Sequence, residues 1–172
     1  MQVRCFTTEA LERELPCERV AVVAIADPGS VRRSADQWGP VLNMRFFDLE
    51  WDAARVGAEG WRWLEQDGLF VPSMGTPLRR FLDCDVVREC DALWVHCDSG
   101  GRAAAVGRYA SERLECELEE GDGFHMNDTV YALLCDPRAF DADSKPTLAP
   151  TLFAQIAGAV RQLRGTWASR VR

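Results

Sequence analysis

The chain has 172 residues, of which 47% are hydrophobic and 27% are charged, and its formal net charge at pH 7 is −7. That length suits a single domain with its own core, so we expect one domain over residues 1–172. The acidic balance disfavours nonspecific binding to nucleic acid or to an anionic membrane surface, because such binding needs an excess of lysine and arginine. No stretch of the sequence is apolar and long enough to span a bilayer.

Seven cysteines are spread along the chain without the spacing of a disulfide framework. The N-terminus carries no apolar signal core, so we expect reduced thiols in the cytoplasm. Cys84, Cys90, His96 and Cys97 could be considered as zinc ligands, but no Cys-x-x-Cys pair is present. We therefore expect neither a metal nor any other cofactor.

Three strands and one helix are predicted in the first 50 residues. Residues 2–6 form a short strand, and Thr7 is placed to cap a helix through about Leu15. Residues 19–25 have almost no polar face, which is typical of a buried strand. Residues 41–46 predict a third strand.

The segment 47–75 has no clear periodicity but collects tryptophans and glycines, so we predict a long loop with one helical turn. Its tryptophans are interpreted as packing under the loop rather than as a recognition surface. Pro77 suits the first turn of a helix over residues 76–89, and residues 92–96 predict a central strand.

After this strand, small residues from Ala103 onward predict a helix that lies close to the sheet. The acidic run 115–122 is interpreted as a solvated surface. Asn127 or Asp128 is expected to cap a helix through Leu134, and an apolar pattern predicts another helix over residues 152–163. Helices that alternate with apolar strands predict an α/β fold with a mostly parallel central sheet flanked by helices.

The segment Leu93-Trp94-Val95-His96-Cys97-Asp98-Ser99-Gly100-Gly101-Arg102 is the most informative part of the sequence. It predicts a buried strand that ends at a cysteine, then a glycine turn and the start of a helix. The amides of such a turn and the positive end of the helix favour an anion and a thiolate, so we predict that Cys97 is a thiolate near neutral pH. Arg102 is expected to hold an oxyanion with its two-pronged guanidinium, rather than a structural carboxylate.

This segment resembles the catalytic loop of the cysteine-dependent protein tyrosine phosphatase superfamily, which reads His-Cys, two residues, Gly, two residues, Arg and then Ser or Thr. Here only four residues separate Cys97 from Arg102, one fewer than in that family, and Ala103 replaces the hydroxyl residue. The shortened loop has the length of a rhodanese loop, in which a cysteine carries a persulfide.

The sequence around the loop resembles the small bacterial branch that is similar to dual-specificity phosphatases. The resemblance runs from about residue 20 to residue 135. It includes the strand and turn at 22–30, the aromatic and acidic segment at 46–50, and Asn127 at the start of a late helix. It implies a phosphatase-like domain with the reactive loop between a central strand and a helix.

The resemblance also implies a role for each residue of the site. Cys97 would attack phosphorus, and Arg102 would stabilise charge on the phosphoryl oxygens together with the loop residues Asp98, Ser99, Gly100 and Gly101. His96 would support the cysteine. Asp48 would protonate the leaving oxygen, with Glu50 and Asp52 as nearby alternatives.

Three hypotheses of different classes follow from these residues. The first is a phosphomonoesterase that acts on a phosphotyrosine or another phosphorylated ligand or protein. The second is a catalytically impaired phosphatase-like protein with a phosphate-binding or regulatory role. The third is a rhodanese-like sulfurtransferase that uses a Cys97 persulfide.

Overall fold

The computed structural model describes residues 1–15, 19–30, 39–50 and 58–136. The predicted helix at 152–163 and the alternative acid Asp52 lie outside these residues. Within these ranges the sheet has five strands, all parallel, in the order β3-β2-β4-β1-β5. The strands are β1 (Gln2–Thr7), β2 (Val20–Ala26), β3 (Val41–Arg45), β4 (Ala92–Cys97) and β5 (Glu117–Glu119). The α/β fold with a parallel central sheet flanked by helices is thus confirmed.

Six α-helices are described, with a short 3-10 turn at Pro72–Met74 before the third. They are α1 (Thr8–Leu11), α2 (Ala58–Gln66), α3 (Gly75–Leu82), α4 (Asp85–Arg88), α5 (Gly101–Leu114) and α6 (Asp128–Cys135). None of the helices in the described ranges is long and apolar enough to cross a membrane.

Alternation along the strands gives the sheet two different faces. On one face, β4 contributes Leu93, Val95 and Cys97 to the main core, which also contains buried residues of α3, α5 and α6. On the opposite face, Ala92 and Trp94 belong to a smaller apolar cluster that includes Leu11 of α1. Cys97 therefore points into the main core, whereas His96 points to the other side.

The connections place a crevice at the carboxyl end of the sheet. From β2 the chain continues to its neighbour β3 on one side, whereas from β4 it passes through α5 and crosses β1 to reach β5 on the other side. Strands whose connections diverge in this way leave a crevice outside their carboxyl ends, which is where open α/β sheets bind ligands. The Cys97 loop leaves β4 at this crevice.

Two predictions about local structure are wrong, and one strand was missed. The segment 47–75 contains the nine-residue helix α2, and Trp61 and Trp63 pack against the main core, as the packing interpretation required. The helix predicted over 76–89 is two helices, because Cys84 adopts an extended backbone between α3 and α4. The acidic run 115–122 is solvated as predicted, because its glutamates are exposed, but it also contains the strand β5, which was not predicted and which pairs with β1.

The predicted caps are confirmed at two helices. The Thr7 side chain accepts a hydrogen bond from the amide of Ala10, although α1 ends at Leu11 rather than near Leu15. Asn127 caps α6 by accepting from the amide of Val130.

Candidate functional site at the Cys97 loop

Cys97 lies at the end of β4 with its thiol directed at the start of α5. The amide of Gly100 donates to Cys97 Sγ at 3.1 Å, and the amide of Ala103 donates to the same sulfur at 3.3 Å. Gly100, the residue just before α5, makes no side-chain capping bond, so the sulfur accepts from amides that the start of a helix otherwise leaves without a partner. The positive end of the α5 dipole therefore faces this thiol, as the sequence predicted.

The turn that carries these amides depends on two glycines. Gly100 has φ +90°, and a Cβ atom there would come within 2.6 Å of the Phe124 ring. A Cβ atom on Gly101 would lie 2.7 Å from the His125 carbonyl oxygen. The chain at 124–125 is thus packed directly against the loop, so a side chain at either glycine would push the two segments apart.

Arg102 is almost fully buried, with 2% of its side chain exposed. Its Nη1 donates to Asp27 Oδ1 at 2.8 Å and also to the carbonyl oxygen of Phe46. Its Nε lies 4.0 Å from Asp48 Oδ2. The expectation that Arg102 has no structural carboxylate is therefore wrong, because Asp27 occupies one prong of the guanidinium, whereas its binding of an oxyanion stays a prediction.

Asp48 reaches the loop as the resemblance implied. Its Oδ2 accepts a hydrogen bond from the Ser99 hydroxyl, and its Oδ1 accepts from the side-chain amide of Asn127 at 2.9 Å. Ser99 Oγ in turn lies 3.9 Å from Cys97 Sγ. The acid and the thiol are thus linked through one hydroxyl. Glu50 is turned to the start of α6 instead, where its Oε1 accepts from the amide of Asp128 at 3.3 Å.

Asp98 and His96 lie away from the thiol. The Thr8 hydroxyl donates to Asp98 Oδ1 at 2.9 Å and lies 3.3 Å from His96 Nδ1. The Asp98 side chain thus turns away from the thiol and bonds Thr8 on the opposite face of the sheet, and a role of Asp98 in the phosphate-binding loop stays a prediction. His96 Nδ1 contacts Thr8, and the support of Cys97 by His96 stays a prediction.

Sequence reasoning missed two side chains of this site. Asp27 follows the buried strand β2 at the carboxyl edge of the sheet, and a carboxylate at that position is a recognisable signal for a site residue. Asn127 was assigned only a capping role, yet its side chain both caps α6 and holds Asp48. No group of three or more His, Cys, Asp or Glu side chains in the described ranges is arranged to hold a metal ion.

The burial of Cys97 predicts slow alkylation of the native chain. Its side chain is completely buried, whereas Cys84 and Cys135 are exposed, so iodoacetamide should label the exposed pair first. Mass spectrometry of tryptic peptides at successive times gives the order of labelling. Labelling of Cys97 at the rate of Cys84 would show that the loop opens readily. As a control, the urea-unfolded chain gives the labelling rate of each thiol when it is fully accessible.

No family model matches the chain, and neither the search of curated proteins nor the search of solved structures finds a match.

Proposed function

We propose that this chain is a phosphatase-like protein that hydrolyses phosphomonoesters slowly through a cysteinyl-phosphate at Cys97. The observation that carries the proposal is the position of Asp48. Although 51 residues separate it from Ser99 in sequence, its carboxyl group bonds Ser99 beside the thiol and lies 4.0 Å from Arg102. Nucleophile, guanidinium and acid thus meet at the start of one helix, which is the set that the resemblance implied.

Each residue has a distinct part in the proposed reaction. The Cys97 thiolate attacks phosphorus while the ester P–O bond breaks, and Asp48 as a carboxylic acid gives its proton to the leaving oxygen. Water then attacks phosphorus, the P–S bond breaks, and the Asp48 carboxylate takes the proton of the water. The loop amides and Arg102 stabilise the phosphoryl oxygens during both steps.

Two features make this hydrolysis slow. A bound phosphate must displace Asp27 from Arg102, since the two carry like charge and compete for the same nitrogen. In addition, Ala103 offers no hydroxyl to assist departure of the thiolate in the second step.

A second candidate function, phosphate binding without turnover, is favoured by the closed state of the site. Cys97 is completely buried, and Arg102 is engaged by Asp27. A regulatory protein needs only that the anion replaces Asp27, without access of a substrate to the sulfur. The sulfurtransferase hypothesis stays a prediction, to be tested by transfer of sulfur from thiosulfate to cyanide.

Hydrolysis of p-nitrophenyl phosphate by four matched variants tests the proposal. Cys97→Ser should abolish turnover, and Asp48→Asn should lower kcat by about a hundredfold through loss of the proton donor. Asp27→Asn should raise kcat/KM, because the amide keeps a hydrogen bond to Arg102 but removes the competing charge. Asp85→Asn on α4, an equal charge change outside the site, is the control and should behave as the parent chain.

The outcomes separate the candidates. Turnover that persists in Cys97→Ser contradicts the cysteinyl-phosphate route. Phosphate binding that strengthens in Asp27→Asn, without turnover in any variant, supports the binding protein. Sulfur transfer from thiosulfate that is lost in Cys97→Ser, with no phosphatase activity, supports the sulfurtransferase instead.

A further inference from the structure

A second site lies on the sheet face opposite the Cys97 thiol. A cleft of about 430 Å³ opens at the carboxyl ends of β2, β3 and β4, a volume in the range of small-molecule sites. Its polar lining comes from Thr8, Ser30, Asn43, Arg45, His96 and Asp98, and from Glu9 of α1. The cleft is therefore distinct from the core-facing thiol, although His96 and Asp98 flank Cys97 in sequence.

The floor of this cleft is a row of three residues at one level of the sheet. The strand register pairs Ala24 with Asn43 on one side and with His96 on the other. Because Ala24 has only a methyl group, it leaves a depression between an amide and an imidazole. The row below it is apolar and contains Val22 paired with Trp94. A polar row next to such a face fits ligand recognition better than core packing.

The two ends of the cleft carry opposite charges. Arg45 is exposed at the β3 end, and its Nη1 donates to the carbonyl oxygen of Ser30 at 3.0 Å. Among the described residues no carboxylate is paired with Arg45. Asp98 at the β4 end is exposed and accepts one hydrogen bond, from Thr8. Glu9 also lines this end, but it is paired with Arg13.

Thr8 fixes the arrangement at the acidic end. A hydroxyl has a single proton, and Thr8 donates it to Asp98, so the ring nitrogen Nδ1 of His96 is the donor to Thr8 Oγ1. The chain of bonds from His96 through Thr8 holds the Asp98 carboxylate at the mouth. Its second oxygen, Oδ2, has no hydrogen-bond partner in the part of the chain that the structure describes.

We propose that this cleft binds a small zwitterion whose carboxylate pairs with Arg45 and whose ammonium pairs with Asp98. The strands β3 and β4 flank β2, so the backbones that carry the two charges are separated by about 10 Å. The side chains span part of that distance, which leaves room for an ammonium and a carboxylate several bonds apart. An α-amino acid is too short for both contacts, whereas a dipeptide or a longer ω-amino acid has the required length. Asn43 lies on β3 two residues before Arg45, so its amide is at the basic end of the cleft, where it suits the peptide bond next to the carboxylate of a dipeptide.

Titration of the full chain with glycyl-leucine, followed by amide NMR shifts at Ala24 and Asn43, tests this assignment. N-acetylglycyl-leucine lacks the ammonium, and glycyl-leucinamide lacks the carboxylate, so each should bind about tenfold more weakly. Titration with 6-aminohexanoate, which has both charges but no peptide bond, shows whether the cleft recognises the charges alone or also the peptide bond. If 6-aminohexanoate binds as tightly as glycyl-leucine, the two charges alone account for recognition. If it binds more weakly, the peptide bond also contributes to recognition.

Variants of the chain locate each contact. Arg45→Gln should weaken glycyl-leucine about tenfold but leave glycyl-leucinamide unchanged, since that ligand has no carboxylate to lose. Asp98→Asn should weaken glycyl-leucine but not its N-acetyl derivative. Arg108→Gln removes an exposed charge on α5, outside the cleft, and should have no effect. The proposal would be overturned if glycyl-leucine did not bind at millimolar concentrations, or if it bound no more tightly than N-acetylglycyl-leucine and glycyl-leucinamide. Cys97→Ser should bind as the parent chain does, so the result is independent of the proposed hydrolysis.

Discussion

Replacing Arg102 with methionine is expected to lower the free energy of unfolding by about 3 kcal/mol, near the lower end of the usual cost of breaking a buried ion pair. Methionine has similar length and keeps most of the packing, but it leaves Asp27 and the Phe46 carbonyl without their donor. The lower end applies because 30% of the Asp27 side chain is exposed, so water solvates part of the released charge. Urea unfolding with an unchanged slope measures the loss.

Two further variants test the cause of this loss. Asp27→Asn combined with Arg102→Met should recover part of the stability, because the carboxylate left without its partner is removed. Arg113→Met supplies the control, since Arg113 makes a 2.6 Å contact with Asp83 but both side chains are more than one third exposed. Such a surface pair contributes about 1 kcal/mol or less. If Arg102→Met costs no more than Arg113→Met, the buried pair does not stabilise the fold.

Replacing Gly107 with alanine is expected to destabilise the chain by about 2 kcal/mol, although alanine favours a helix over glycine by about 1 kcal/mol. Gly107 lies on α5 where this helix packs against β1. A Cβ atom there would lie 2.2 Å from Cys5 Sγ, which donates to the Ala103 carbonyl at 3.3 Å. Burial raises the pKa of the Cys5 thiol to about 12, so the sulfur is a neutral donor at neutral pH.

The clash at Gly107 predicts that two substitutions rescue each other. Cys5→Ala removes the sulfur, so Gly107→Ala in that background should cost nothing or should stabilise the helix. The double variant should therefore be more stable than Gly107→Ala alone, as measured by thermal and urea unfolding. If the destabilisations caused by Gly107→Ala and Cys5→Ala simply add, the contact between the new Cβ atom and Cys5 Sγ is not the cause of the loss.

The strands of the central sheet could be predicted from sequence because their signals are local. The buried run 20–25 and the run 92–96 that leads to Cys97 are almost entirely apolar, and each ends at turn residues. The position of Asp48 came from the resemblance and not from periodicity.

The direction of the Arg102 side chain could not be predicted in the same way. Its partner Asp27 lies 75 residues away in sequence, and only the pairing of β2 with β4 brings the two together. The strand β5 was missed for a related reason. Glu117–Glu119 have little apolar character of their own, and their strand conformation depends on bonding to β1.

The position of β5 at the edge of the described sheet affects edge-to-edge association between copies of this chain. An edge strand exposes unpaired amides and carbonyls, to which another strand can add. Here that edge is three residues long, and its two glutamates are exposed at the border. A second copy that approached in the same register would bring Glu117 against a like charge, while Glu119 is paired with Arg4, so we expect this short edge to disfavour strand addition at neutral pH.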